Sequence, residues 1–92
     1  MVQVRLVNVT NDAVFIKAVG DESLYPGIAG LAASDSACTT LYAYADAVSV
    51  EVHSATVPNL IYGSALINPL TSAGWRAVVG PNGVTASQSE GC

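Results

Sequence analysis

SAGWRAVVGPNGVTASQ, residues 72–88, decides the fold, because it reads as two short strands joined by a tight turn. In GWRAVV the side chains alternate, with Trp75, Ala77 and Val79 on one face and Gly74, Arg76 and Val78 on the other. That period of two is the mark of a strand with one covered face. GPNG then supplies the turn residues of a hairpin, and VTASQ the returning strand. Trp75, the one tryptophan, follows the small-residue turn NPLTSAG and so stands at a strand end. Its two apolar companions make it a core anchor. Its terminal position leaves one face to border a site built from loops, so Trp75 is expected to be buried along one edge and open on the other.

Working outward, the same pattern recurs. Val2, Val4 and Leu6 alternate with Gln3 and Arg5, and the parity then passes to Val7 and Val9, which predicts a bulge. TNDA, residues 10–13, is a turn, and Val14, Ile16 and Ala18 resume the alternation, so these first two strands are expected to form a hairpin. GDESLYPG, residues 20–27, is a polar loop holding a Pro-Gly turn. IAGLAASDSAC, residues 28–38, fits either a short helix or an irregular crossover. TTLYAYADAVSVEVHS, residues 39–54, reads as strand over 39–45 and again over 48–54, with a turn or bulge near Asp46. VPN is a turn, LIYGSALI a strand kinked at Gly63, and NPLTS another turn. About seven short strands with less than one-fifth helix predict a single all-β domain over residues 1–92, an antiparallel sandwich or barrel.

Composition bounds the function. Of 92 residues 51% are apolar and 11% charged, which suits a compact globule. The net charge is −4 with three basic side chains, Arg5, Lys17 and Arg76, too few for a nucleic-acid surface or for docking to anionic lipid. No apolar run approaches the roughly 20 residues that span a bilayer. MVQVRLVNVTNDAVF lacks the continuous apolar segment of a signal peptide, so a cytoplasmic or leaderless-secreted protein is expected, or one whose leader was removed. Asn8-Val9-Thr10 matches the glycosylation pattern, but within a strand, where it carries little weight. Cys38 and Cys92 favour an intrachain bridge closing a loop of about 55 residues, worth roughly 4 kcal/mol in the chain-entropy model; free thiols and an interchain link remain the alternatives.

Catalytic patterns are weak. His53 is the one histidine, no nucleophile elbow occurs, and Asp46 and Glu51 fall on separate strand segments, so no enzyme is expected. One histidine and two distant cysteines do not make a zinc site. The Asp21-Glu22 loop, with Asp35, lacks the spacing of a calcium loop, so no metal or cofactor is expected.

Sugar recognition needs an aromatic face beside planar hydrogen-bonding groups. Tyr42, Tyr44 and Asp46 share one face of LYAYADA, and a reversal near Asp46 brings Glu51 and His53 towards them. The tyrosines either offer open rings or pack inward with their hydroxyls at the rim. The expected ligand-binding set is therefore Tyr42, Tyr44, Asp46, His53, Trp75 and Arg76.

In size and character, and in LYAYADAVSVEVHSA and GWRAVVGPNG, the chain resembles the small fungal fruiting-body lectins of the Lyophyllum decastes type. The resemblance implies a homodimeric lectin that takes terminal α-galactosyl glycans in defence. The rival expectation is a protein-interaction or inhibitor domain presenting the loop of residues 20–27.

Overall fold

The computed structural model describes residues 2–19, 23–41, 47–90 and 92. In chain order its strands are β1 (Val2–Asn8), β2 (Val14–Ala18), β3 (Leu24–Tyr25), β4 (Ser36–Leu41), β5 (Val48–Ser54), β6 (Ile61–Ile67), β7 (Gly74–Gly80) and β8 (Gly83–Gln88). They form two four-stranded sheets, β4-β1-β7-β8 and β3-β2-β5-β6. No helix occurs among the described residues, and the all-β class expected from the alternation is the class adopted.

The core lies between the sheets and is built by strict alternation. Val2, Val4 and Leu6 of β1 and Trp75, Ala77 and Val79 of β7 meet Val14, Ile16 and Ala18 of β2 and Val50 and Val52 of β5. The β7–β8 hairpin forms as its sequence predicts, with Gly80 paired to Gly83 around Pro81 and Asn82. Residues 28–35 take the irregular-crossover alternative, held where Leu31 exchanges two backbone hydrogen bonds with Val14. Gly30 is required there, because it has φ of 78° and a Cβ would stand 2.8 Å from both Ala55 Cβ and the Val14 carbonyl. Cys38 and Cys92 form the intrachain disulfide, with Cα atoms 5.8 Å apart, which fastens the last residue to β4.

Four expectations change. The hairpin between β1 and β2 does not form: β1 pairs with β4 and β7, and β2 with β3 and β5. Alternation sets the inward face of each strand but not its edge partner, and here the two apolar faces meet across the core instead. Nor is there a bulge at Val7 and Val9. The inward parity runs unbroken to Asn8, 1% exposed, while Val9 is 57% exposed. A buried amide at the end of β1 is what breaks the hydropathy pattern. β1 and β7 pair in parallel, Arg5 beside Arg76, in an otherwise antiparallel arrangement. The strand expected over 39–45 begins earlier, at Ser36, and residues 42–46 lie outside the described ones.

Gly63 has a different role from a simple kink. A Cβ on it would lie 2.9 Å from the backbone nitrogen of Val84, so a glycine lets β6 approach β8 and draws the two sheets together along that side. Opposite it, Val52 pairs with Gly63 and His53 with Ile61, which makes Tyr62 the extra residue of a β-bulge.

Candidate functional site

Among the described residues a dense network of side-chain hydrogen bonds gathers at one end of the sandwich, where β1 leaves the first sheet. Asn8 is its hub. The side-chain nitrogen donates towards the carbonyl oxygens of Asp12 at 2.7 Å, Leu31 at 3.0 Å and Ala32 at 3.1 Å. Its oxygen accepts from the Thr10 hydroxyl at 2.6 Å and the Thr10 backbone at 3.0 Å. Three acceptors on one side and two donors on the other fix the orientation of the amide. With its nitrogen enclosed by carbonyls, Asn8 in the folded chain is a structural knot and offers nothing to a glycosylating enzyme.

Asp12, two residues beyond Thr10, continues the network into the second sheet. Its Oδ2 accepts from the Ser54 hydroxyl at 2.6 Å and from the Tyr62 phenol at 2.9 Å, and its Oδ1 accepts from the Thr56 hydroxyl at 2.8 Å. Ser54 in turn accepts from the backbone of Thr56 and Val57. The hydroxyls, Ser54 first and then Thr56, hold the Asp12 carboxyl below its ordinary value of 3.8, against the opposing effect of burial. The Tyr62 phenol is pushed up, chiefly by burial and then by its bond to the Asp12 carboxylate. Asp12 is therefore an ionised anchor whose acceptor positions are taken up within the protein. It fixes Tyr62, which the β-bulge has turned towards it.

In front of this anchor lies a concavity of about 390 Å³ lined by Val9, Thr10, Asn11, Ser34, Tyr62 and Pro81. Ser34 has φ of 63°, an uncommon conformation for a residue with a Cβ. Neither the Asn11 amide nor the Ser34 hydroxyl makes a side-chain hydrogen bond among the described residues. The concavity thus offers one aromatic ring held in place, an amide and a hydroxyl free to bond, and apolar contacts from Val9 and Pro81. It has the inventory for a polyhydroxylated ligand.

Of the residues expected to bind ligand, the three that are described, Trp75, Arg76 and His53, do not converge. Trp75 is 8% exposed, a core residue whose indole N–H donates to the Ser72 carbonyl at 3.0 Å. The face expected to border a site is covered by the sandwich itself. Arg76 points out from the first sheet, on the opposite side of β7 from Trp75. His53 lies on the outer face of the second sheet, stacked on Phe15 with ring centroids 5.4 Å apart. Its Nδ1 meets the Pro58 carbonyl at 2.8 Å and its Nε2 meets Glu51 at 3.0 Å. Ser54 faces inward from the next position of β5, so His53 and Ser54 stand on opposite faces of one strand. Tyr42, Tyr44 and Asp46, with Asp21 and Glu22 of the acidic loop, lie outside the described residues.

Sequence pattern does not single out Asn11, Asp12, Ser34 and Tyr62, and marks Asn8 only through the glycosylation pattern. The signal that marks them is local: Asn8-x-Thr10-x-Asp12 and Ser54-x-Thr56 place short polar side chains at alternate positions where strands end, and such side chains fold back onto nearby backbone amides. Comparison of the chain with protein-family models, with curated proteins and with solved structures finds no match in any of the three.

Proposed function

We propose that the protein is a non-catalytic carbohydrate-binding module, a lectin whose site is the concavity at the ends of β1 and β7. The observation that carries this reading is Tyr62, a ring locked by the Asp12 carboxylate beside the unengaged Asn11 amide and Ser34 hydroxyl. A sugar offers one patch of C–H groups and several hydroxyls in fixed directions. A held aromatic ring takes the first, and an amide, both donor and acceptor, takes the second. A site this shallow binds one sugar weakly, so the reading includes presentation of two sites in a homodimer, where simultaneous engagement adds avidity. Terminal galactosides, implied by the resemblance to the fungal fruiting-body lectins, are the first ligands to examine.

A glycan array probed with the intact chain is the test. A coherent preference for one terminal sugar is expected, reduced about tenfold by Asn11→Ala, the size of one lost ligand hydrogen bond. Asn11 is exposed, so the variant retains its fold by circular dichroism. An array with no terminal-sugar preference overturns the reading in favour of a protein-interaction domain. Binding that survives Asn11→Ala and Tyr62→Phe but is lost in Tyr44→Ala moves the site to the segment holding Tyr42, Tyr44 and Asp46.

A further inference from the structure

The first sheet presents an outer face with an unusual charge pattern. Arg5 of β1 and Arg76 of β7 are in-register neighbours across the parallel pairing, and both point outward. They are two of the three basic side chains in a chain of net charge −4. None of β1, β4, β7 and β8 contains an aspartate or glutamate. Among the described residues the one ion pair is that of His53 with Glu51, on the other sheet. Like charges set side by side on adjacent strands destabilise a sheet unless something neutralises them. Among the described residues Arg5 donates to one side-chain acceptor, the Ser36 hydroxyl at 3.3 Å.

Within the four strands the other neighbours are uncharged, and directly across from Arg5 on β4 stands Cys38, whose disulfide brings Cys92 and the tail that holds Glu90 to this sheet. Across the strands Arg76 is opposite Ser87, and Gln3 is opposite Thr40. Val7 and Val78, half-buried, form the next row of the same face, in the direction of Val9 and the concavity. Along β1 the step from Arg5 to Val9 is about 13 Å at the usual rise of a strand.

We propose that Arg5 and Arg76 together form an oxyanion site on the outer face of the first sheet, taking a sulfate ester or carboxylate borne by a glycan. Two guanidinium forks match the paired oxygens of such a group, and each fork gives directed hydrogen bonds that a lysine would not. The hydroxyl and amide rim suits sugar hydroxyls. Two cations without an exposed aromatic residue between them fit a single anionic substituent better than a polyphosphate strand, which is bound through many cations and stacked bases. The site stands on its own geometry and does not require the concavity to be occupied.

The test titrates the whole chain, with its arginine side chains labelled for NMR, with sodium sulfate and with sodium chloride at matched ionic strength. A disaccharide carrying one sulfate ester is then compared with its unsulfated parent. Sulfate, and not chloride, is expected to move the Nε–H resonances of both arginines. The sulfated disaccharide is expected to bind at least tenfold more tightly than the parent. Arg5→Gln and Arg76→Gln are each expected to remove that advantage without lowering the melting temperature, since each relieves the like-charge contact. Equal responses to sulfate and chloride, or a sulfate advantage that persists in the double variant, overturn the site. Tighter binding of a ten-nucleotide single-stranded DNA than of the sulfated disaccharide overturns the glycan assignment. A parent sugar that does not bind, beside a sulfated one that binds through both arginines, leaves this site standing and removes the concavity as the sugar site.

Discussion

Replacing Asn8 with aspartate exchanges one nitrogen for an oxygen and keeps the shape of the side chain, so it isolates the donor role of the amide. In the native arrangement that nitrogen faces three carbonyl oxygens between 2.7 and 3.1 Å away, at a residue 1% exposed. A carboxylate has no proton to give them. Two amide N–H bonds vanish, at roughly 1 kcal/mol each, and a charge is left facing oxygen lone pairs, which adds several kcal/mol more unless it is protonated. The three carbonyls are not all stranded, since Leu31 also accepts from Val14 and Ala32 from Asp35. The cost at neutral pH is therefore set at about 4–5 kcal/mol, against about 3 kcal/mol for Asn8→Ala, which leaves no charge behind. Against a stability of roughly 5–15 kcal/mol for a domain of this class, either change is severe.

Urea unfolding followed by Trp75 emission, with each variant compared to wild type at the same pH, measures both costs. The introduced carboxyl has its folded pKa raised, so the folded state binds the extra proton. Its penalty is largest at neutral pH and shrinks as the pH falls through that raised value, because the protonated form again offers one donor. A cost for Asn8→Asp below about 1 kcal/mol, or one unchanged between pH 7 and pH 4, refutes the assignment of Asn8 as a donor hub.

Gly63→Ala places a Cβ 2.9 Å from the Val84 nitrogen and should cost about 1–3 kcal/mol in thermal melts, while Gly27→Ala, with no atom within 4 Å, stays within about 0.5 kcal/mol. Asp12 titrates below its ordinary value of 3.8 in the folded state, so its contribution is present above that pH and is lost as the pH falls through the lower folded value. Melting temperatures from pH 5 to pH 2 should then fall less steeply for Asp12→Asn than for wild type. Saturating sugar should leave Trp75 emission unchanged, and Trp75→Phe should bind as wild type does, because the indole is 8% exposed and lies outside the concavity. A shift in emission on binding would move the proposed site to the neighbourhood of Trp75.

How far the fold was legible can be seen strand by strand. β5 spans the residues that alternation predicted, and β7 and β8 join at the predicted turn, because there each side chain's face follows from its hydropathy. Alternation names the face of a strand but not its partner. Hence the expected pairing of β1 with β2, neighbours in sequence, gave way to a pairing of β1 with β7. Asn8 shows the other limit: a buried amide satisfied by carbonyls has the packing of a core residue and the hydropathy of a surface one. The concavity was hidden for a related reason. Tyr62 faces it through a bulge set by the pairing of β6 with β5, Asn11 and Asp12 come from one loop and Ser34 from another, so no single stretch of chain contains the site. Trp75 was read correctly as an inward residue of its strand, but its position at a strand end did not open it to solvent, since exposure depends on what the rest of the sandwich places over that end.

The parallel contact between β1 and β7 has a consequence for synthesis. During translation β1 emerges first, and β7 only after most of the chain. β4 can cover one edge of β1 early, but the other edge keeps its backbone donors and acceptors open until residues 74–80 arrive. Closing that gap joins segments far apart in sequence, a pairing that carries a large loop-closure cost and forms slowly. In the interval the nascent chain carries an exposed β edge with Val2, Val4 and Leu6 along one face, a template for association with other chains. Truncation before β7 would therefore yield an aggregating fragment rather than a smaller sandwich, and the final third of the chain acts as the lock of the N-terminal strand.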